Sequence, residues 1–327
     1  MRAIVLHAPG QPSALTLQEM PVPEPGAGEI RVRVQAASLN PVDYKMAANG
    51  HPAWTYPFVP GVDGAGIVDK LGEGVTEWRA GDRVVYHGSF VRHGSFAEYT
   101  IVKAHAIARI ADELTFEEAA AFPCAGLTAY QILNRKMNMK PGSSVLVHAG
   151  AGGVGGYAIQ LARAFGASQV ITTASADNHD YVQSLGADVA IDYNSENVRE
   201  RVMALTNGLG VDYILNSLNR KTAQEDLEML GFGGQLGCIA GAPETVADFQ
   251  PSHKTFTVHK LMIAGAHVSG DERAERELGV MAEEFMKLMV AGKIASTISK
   301  QIALEDVPAE LARLSQRHVR GKIVASL

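Results

Sequence analysis

The chain has 327 residues, a formal net charge of −6 and a composition that is 46 % hydrophobic and 20 % charged. This length predicts two domains, each large enough to bury a core of its own. The acidic balance argues against a nucleic-acid partner, because phosphate-binding surfaces concentrate lysine and arginine. No apolar run approaches the ~18 residues that span a bilayer, and the N-terminus lacks a signal-peptide pattern. We therefore expect a cytoplasmic protein with no membrane partner.

Cysteine usage limits the disulfide and metal chemistry that the chain can support. Cys124 and Cys238 are the two cysteines of the sequence, and two are too few for a disulfide framework. They are also too few for an all-cysteine structural zinc site, which takes four thiolates or three with a histidine.

The first 110 residues alternate short strand-like runs with turn signals. Residues 30–34 and 84–86 have the apolar and β-branched content of strands, and Pro25-Gly26 and residues 80–82 have the composition of turns,. This pattern predicts a compact, barrel-like β domain.

From about residue 120, helices alternate with short apolar strands. Val154, Ala158, Leu161 and Phe165 share one face of a predicted helix,. A later amphipathic stripe contains Leu278, Ala282, Phe285 and Met289, before a strand-helix-strand tail,. The alternation predicts a doubly wound parallel sheet, with strands at 145–148, 170–173, 189–191, 213–215, 235–239 and 261–264.

A glycine-rich turn follows the first of these strands. Gly150, Gly152 and Gly155 satisfy G-x-G-x-x-G between a strand and a helix, the setting in which this pattern binds dinucleotides. Backbone N–H groups at Gly153 and Val154 would hold the pyrophosphate at the helix N-terminus. The alternative is a glycine-rich turn without a ligand.

Residues about 20 positions further on bear on which dinucleotide binds. An acidic residue there would bond the ribose 2′-OH and select NAD, whereas this chain has Ser175, with Asn178 close by. Small polar side chains leave room for a 2′-phosphate, so NADP(H) is favoured as the cofactor. Asp177 lies within the uncertainty of the spacing and keeps NAD as an alternative.

Further motifs appear in a fixed order along the chain. They are ASLNPVD at 37–43, PGVDGAGIV at 60–68, AGDRV at 80–84, AGLTAY at 125–130, LGAD at 185–188 and GKIV at 321–324. With them the chain resembles the medium-chain dehydrogenase/reductase superfamily, and within it the zinc-independent quinone oxidoreductase branch.

The resemblance implies an α/β protein with a GroES-like β-rich domain and a Rossmann doubly wound parallel sheet domain. We place the GroES-like substrate domain at 1–120, the Rossmann dinucleotide-binding domain at 121–267, and a return to the first domain at 268–327. Relatives place the substrate in a cleft between the domains and commonly dimerise through the Rossmann sheet edge, near 261–264 here. The resemblance therefore also implies a homodimer.

The resemblance also addresses the metal. In the zinc-dependent branch the catalytic ligands fall where this chain has Asn40, Val62 and Cys124. Valine cannot bind a metal, and asparagine is a poor zinc ligand beside histidine or cysteine. We therefore expect no metal, and Cys124 is expected to pack near the cofactor.

Site residues are carried over from the family motifs. The family asparagine implies that Asn40 lies near the nicotinamide, although a turn before Pro41 would also explain it. Asp43 is expected either to orient neighbouring groups or to cap a helix. Tyr44 and Thr128 complete the set expected in catalysis, and Thr128 is also expected to contact the cofactor.

More distant positions have weaker support. Further cofactor contacts are expected from Tyr193, Asn216, Arg317 and Lys322, of which Tyr193 and Arg317 resemble positions around a 2′-phosphate. Asn216 follows a predicted strand, at the sheet edge where ligands bind. Trp54 and Tyr56 fall in the segment that lines the substrate pocket in relatives, or form a packed loop.

These expectations combine into a hypothesis for the reaction. The resemblance implies an NADPH-dependent, zinc-independent reductase that transfers hydride to quinones or α,β-unsaturated carbonyls, small-molecule electron acceptors. Such acceptors become delocalised anions and need less stabilisation by a Lewis acid. The alternatives are an enoyl-thioester reductase and a nucleotide-bound binding protein with little catalysis.

Overall fold

The computed structural model describes residues 1–245, 254–316 and 319–327. These residues form two compact units. The N-terminal unit comprises Met1–Leu127, Ile263–Ala291 and Ser296–Leu327, and the second unit comprises Thr128–Met262 and Gly292–Ala295. Within the described ranges, no helix combines the length and apolar character that a membrane span requires.

Strands dominate the N-terminal unit and alternate with helices in the second. The strands are β1 (Arg2–Val5), β2 (Thr16–Glu19), β3 (Glu29–Ser38), β4 (Asp63–Leu71), β5 (Arg83–His87), β6 (Tyr99–Lys103), β7 (Ile107–Arg109), β8 (Ser144–Val147), β9 (Gln169–Ala174), β10 (Val189–Asp192), β11 (Val211–Asn216), β12 (Leu230–Cys238), β13 (Phe256–Lys260), β14 (Ile298–Ala303) and β15 (Lys322–Ser326). The α-helices are α1 (Pro41–Asn49), α2 (Phe116–Ala121), α3 (Pro123–Tyr130), α4 (Gly153–Ala164), α5 (His179–Ser184), α6 (Val198–Leu205), α7 (Arg220–Met229), α8 (Glu272–Val290) and α9 (Val307–Ser315).

A seven-stranded sheet organises the N-terminal unit. Its order is β14-β15-β3-β4-β5-β7, with β6 also paired to β3, and β1 and β2 form a separate antiparallel pair. The C-terminal strand β15 runs antiparallel to β3, with Val324 opposite Ser38. This pairing brings Lys322 beside the start of α1. In the separate pairing of β4 with β5, Asp63 lies opposite His87.

The second unit contains a six-stranded parallel sheet. Its order is β10-β9-β8-β11-β12-β13, and every pair in it is parallel. Numbered within the sheet, this is the order 3-2-1-4-5-6 of the Rossmann fold, whose switch point lies beside the first strand. The core includes Leu146, Ile171, Ile191, Ile214 and Leu236, all buried.

Helix α4 follows the predicted apolar stripe closely. It spans Gly153–Ala164, where the sequence predicts 154–165, and Gly166, just beyond its C-cap, has a φ of +83° that suits glycine,. The first five predicted strands of this sheet are confirmed, with ends that differ by a few residues.

The sixth predicted strand is wrong. The sequence places it at 261–264, whereas the strand is β13, Phe256–Lys260. Ile263 begins a 3-10 segment, Ile263–Val268, that belongs to the N-terminal unit. The true strand, β13, is an edge strand with half-exposed, partly polar side chains. The more apolar run at 261–264 therefore gives the stronger strand signal in the sequence, although it is not a strand.

Candidate active site

The side chain of Asn40 is held on two sides inside the N-terminal unit. Its Nδ2 donates to Asp63 Oδ2 at 2.8 Å and to the Ser38 carbonyl at 3.2 Å, and its Oδ1 accepts from Lys322 Nζ at 2.6 Å. Asn40 is 2 % exposed. The amide therefore has one orientation, set by an ammonium at its oxygen and a carboxylate at its nitrogen.

Asp43 joins two backbone segments at the start of α1. Its carboxyl oxygens accept the N–H of Asn40 at 2.8 Å and the N–H of Val62 at 3.2 Å. Burial, followed by the charge of nearby Asp63, raises the pKa of Asp43 to about 8,. Asp43 therefore caps α1 through the Asn40 N–H and also holds the backbone at Val62. Both roles expected of it, helix capping and the orientation of neighbouring groups, are present.

Asp63 is the centre of this cluster. Its carboxylate accepts hydrogen bonds from Ser38 Oγ (2.9 Å), Asn40 Nδ2 (2.8 Å) and the N–H of Cys124 (2.8 Å). Lys322 Nζ lies 3.8 Å from Asp63 Oδ2. Burial raises the pKa of Asp63 to about 6, and Lys322 and these hydrogen bonds limit the rise,.

The predicted substrate-pocket residues lie in the same unit, where Trp54 is 8 % exposed and belongs to the hydrophobic core. Trp54 stacks on Phe58 with ring centroids 3.9 Å apart, and its Nε1 donates to the Phe90 carbonyl at 2.8 Å. Asp43, Val62, Trp54 and Phe90 line one small pocket. Tyr56 packs edge-on against Trp54 and is exposed. Tyr44 packs against the same core.

In the second unit, the three glycines of the turn differ in how much space surrounds the position of a Cβ. A Cβ at Gly150 would collide with Thr172, and one at Gly155 would collide with the backbone of Ala149. A Cβ at Gly152 would meet only the Ala149 carbonyl oxygen at 3.4 Å. Packing therefore requires glycine at the first and third positions, while the middle position faces open space.

The N-terminus of α4 lacks a capping side chain. Gly152 is its N-cap, no side chain caps the helix, and its first turn has no acidic residue. The first N–H groups of a helix have no intrahelical acceptor, and the helix dipole favours an anion there. A side chain of the neighbouring strand β9 holds the turn in place, because the Ala149 N–H donates to Thr173 Oγ1 at 3.0 Å.

Other predicted cofactor residues lie at or after the carboxyl ends of the strands. Ser175 follows β9 and accepts a hydrogen bond from Asn178 Nδ2 at 2.9 Å, whereas Asp177 is exposed. Asn216 ends β11, is fully buried and donates to Asp226 at 2.6 Å. Tyr193 is 56 % exposed after β10.

Thr128 is buried in α3, at 6 % exposure, among the first residues of the second unit. Arg317 lies outside the described residues.

Comparison with known proteins identifies the family. Residues 26–112 match the alcohol dehydrogenase GroES-like domain, and residues 153–283 match the zinc-binding dehydrogenase family. The quinone oxidoreductase of Salmonella typhimurium is 30 % identical over 327 residues, which cover 97 % of each chain. The chain belongs to the quinone oxidoreductase-like branch of the medium-chain dehydrogenase/reductase superfamily.

Solved structures of this family agree with the fold. The quinone oxidoreductase of Escherichia coli, complexed with NADPH, matches with a TM-score of 0.89 at 28 % identity and covers 100 % of both chains. The quinone oxidoreductase of Pseudomonas syringae pv. Tomato DC3000 matches with a TM-score of 0.90 at 29 % identity, covering 100 % of this chain and 99 % of that one.

Sequence reasoning within this family missed two residues of the N-terminal cluster. Comparison with the zinc-dependent ligand positions considers Val62, yet Asp63 makes three hydrogen bonds in the cluster. His87 is 2 % exposed and lies opposite Asp63. A histidine at the end of a predicted strand is an available signal, but its cross-strand partner is not written in the local sequence.

Proposed function

We propose that the protein is an NADPH-dependent reductase that transfers hydride to quinones or α,β-unsaturated carbonyl compounds. The turn at Gly152 is the main support for this proposal. There the N-terminus of α4 has no capping side chain, and the space beside Gly152 is open. Family membership supports the reaction class, and the NADPH complex of the Escherichia coli relative supports the cofactor.

The glycine turn fits a dinucleotide. The N–H groups of Gly153 and Val154 would hold the pyrophosphate, with no Cβ at Gly152 to obstruct its approach,. Ser175 and Asn178 would face the ribose and its 2′-phosphate with neutral hydroxyl and amide groups. Asp177, which is exposed in the 3-10 segment after β9, is the carboxylate that would favour NADH instead,.

The N-terminal unit would orient the acceptor. NADPH, when bound, supplies the hydride. Asn40 would present an amide fixed by Asp63 and Lys322, and Tyr56, exposed beside the buried Trp54, would supply aromatic surface for a quinone ring,. We also propose that the protein forms a homodimer through the edge strand β13.

An acceptor panel tests the function. NADPH and NADH consumption would be followed by absorbance with simple quinones, enones and enoyl thioesters. We expect turnover of a quinone or an enone, with NADPH preferred. Preference for enoyl thioesters would replace the proposal by the thioester reductase, and tight NADPH binding without turnover of any acceptor would indicate a binding protein.

A further inference from the structure

Three metal-ligating side chains meet in the N-terminal unit. Asp63 and His87 are cross-strand partners on β4 and β5, so their side chains share one face of the sheet. Cys124 joins them because its N–H donates to Asp63 Oδ1 at 2.8 Å. One ligand atom from each residue lies within 4.8 Å of the other two.

His87 points independently to a ligand. The residue is 2 % exposed, and its Nε2 is buried without a hydrogen-bond partner among the described residues. A buried ring nitrogen without a partner is costly. Asp63 Oδ1 also keeps a lone pair after accepting the Cys124 N–H, whereas Oδ2 accepts both Ser38 and Asn40,.

We propose that Asp63, His87 and Cys124 bind one divalent metal ion, with zinc as the best match. Three protein ligands with an open fourth position are typical of zinc sites that accept water or substrate. A thiolate with an imidazole favours zinc over magnesium or calcium, which prefer oxygen ligands.

Surrounding residues would support the ion. A metal on His87 Nε2 puts the ring proton on Nδ1, where His267 Nε2 lies 3.2 Å away and can accept it,. His267 then accepts that proton instead of donating its own to the His87 carbonyl, 2.9 Å away. Glu275, 3.9 Å from His267 Nδ1, is in turn held by Lys103 at 2.8 Å and His105 at 2.7 Å.

A cavity lies against one of the three ligands. His87 and His267 line a cavity of about 110 Å³ that also contacts Lys103, a half-exposed residue. Lys322 Nζ does not fill the ligand position, since it bonds the Leu39 carbonyl and Asn40 Oδ1 instead. Binding would release the Cys124 thiol proton, because the ligand is the thiolate.

This inference departs from the expectation that no metal is bound. That expectation compares Asn40 and Val62 with the ligands of the zinc-dependent branch, and Asp63 and His87 are outside the comparison. The proposed ligands replace Val62, just before β4, by Asp63, the first residue of β4, and add His87 from β5. The proposed reductase function is not needed for it.

Cobalt(II) substitution of the full-length protein tests the site. Protein stripped with a chelator would be titrated with Co²⁺ while thiolate-to-cobalt and d–d absorption are recorded. We expect one Co²⁺ per chain, a thiolate charge-transfer band, and displacement by Zn²⁺. Absence of saturable Co²⁺ binding, or absence of that band, would overturn the proposal.

Matched variants assign the ligands. Cys124→Ser should lose the thiolate band, while Cys238→Ser, which removes the buried thiol of the second unit, should keep it. His267→Gln should weaken Co²⁺ binding about 10- to 100-fold, as expected of a residue that orients a ligand. Circular dichroism would verify folding, and a band that persists in Cys124→Ser would reject the assignment.

The same samples separate the two proposals. Co²⁺ binding without turnover of any acceptor would sustain the metal site and reject the reductase. Acceptor reduction by protein that binds no Co²⁺ would sustain the reductase and reject the metal site.

Discussion

The glycine turn of the second unit and the polar cluster of the N-terminal unit are built by different means. The glycine turn is made of consecutive residues, and its binding groups are backbone N–H groups at the N-terminus of α4. The N-terminal cluster is made of side chains from positions as distant as Asn40 and Lys322, all buried. The turn therefore depends on open space at a glycine, and the N-terminal cluster depends on balanced charges in a low-dielectric interior.

This difference predicts different responses to mutation. A change in the turn should alter ligand binding and leave folding intact, because Gly152 packs against little. A change in the cluster should reduce stability, because each charged group there compensates another,.

Removing the buried ammonium should have the largest effect. Lys322→Met deprives Asn40 Oδ1 and the Leu39 carbonyl of their donor and leaves Asp63 without its nearest cation. Loss of one partner of a buried pair costs about 3–5 kcal/mol. Urea unfolding monitored by circular dichroism would measure it.

The matched control is Lys300→Met on the neighbouring strand β14. Lys300 pairs with Glu310 at 2.6 Å, but its side chain is 44 % exposed. Glu310 keeps Arg313 at 2.8 Å when Lys300 is removed, so we expect a loss of less than about 1 kcal/mol, as for an ion pair at the surface. Equal losses in the two lysine variants would contradict the view that burial makes Lys322 important.

Asp43 should make stability depend on pH. Its pKa is about 8 in the folded protein against 3.8 for the free side chain, so the folded state favours the protonated form. Stability from this group is complete below pH 3.8, and it falls as pH rises towards 8, by up to about 1.4 kcal/mol per pH unit.

The comparison variant is Asp43→Asn, which is neutral at every pH. We expect wild-type stability to fall relative to this variant between pH 5 and pH 8 in urea unfolding. Asp112→Asn, which removes a fully exposed carboxylate, should show no such trend. A difference that stays constant with pH would show that Asp43 is ionised throughout.

The same contrast explains what the sequence predicts well. The turn, the helix after it and β8 are local, so residues 144–165 contain their own signals,. The cluster depends on strand pairings such as Asp63 opposite His87 and β15 beside β3. No local pattern states these pairings, and Lys322 could be named only through its family motif.

Gly152→Ala should weaken dinucleotide binding without unfolding the protein. The added Cβ contacts one carbonyl oxygen at 3.4 Å, but it enters the space that a pyrophosphate needs. We expect NADPH to bind at least about tenfold more weakly, equal to ~1.4 kcal/mol, in a calorimetric titration, with little change in Tm.

Gly231→Ala is the control for that substitution. Its Cβ would also meet a backbone oxygen, that of Leu209 at 3.3 Å, but Gly231 lies near the start of β12. NADPH affinity should be unchanged there. Unchanged affinity in Gly152→Ala as well would show that the turn does not contact the cofactor.

Ser175→Asp should give the smallest change, a shift in cofactor preference. A carboxylate after β9 could accept the ribose 2′-OH of NADH and would repel the 2′-phosphate of NADPH. The kcat/KM ratio of NADPH to NADH should fall about tenfold, the scale of one charge-assisted hydrogen bond.

Ser184→Asp adds the same charge at the exposed end of α5 and should leave the ratio unchanged. Equal shifts in both variants would mean that the preference reflects the net charge of the unit, and not a contact at Ser175.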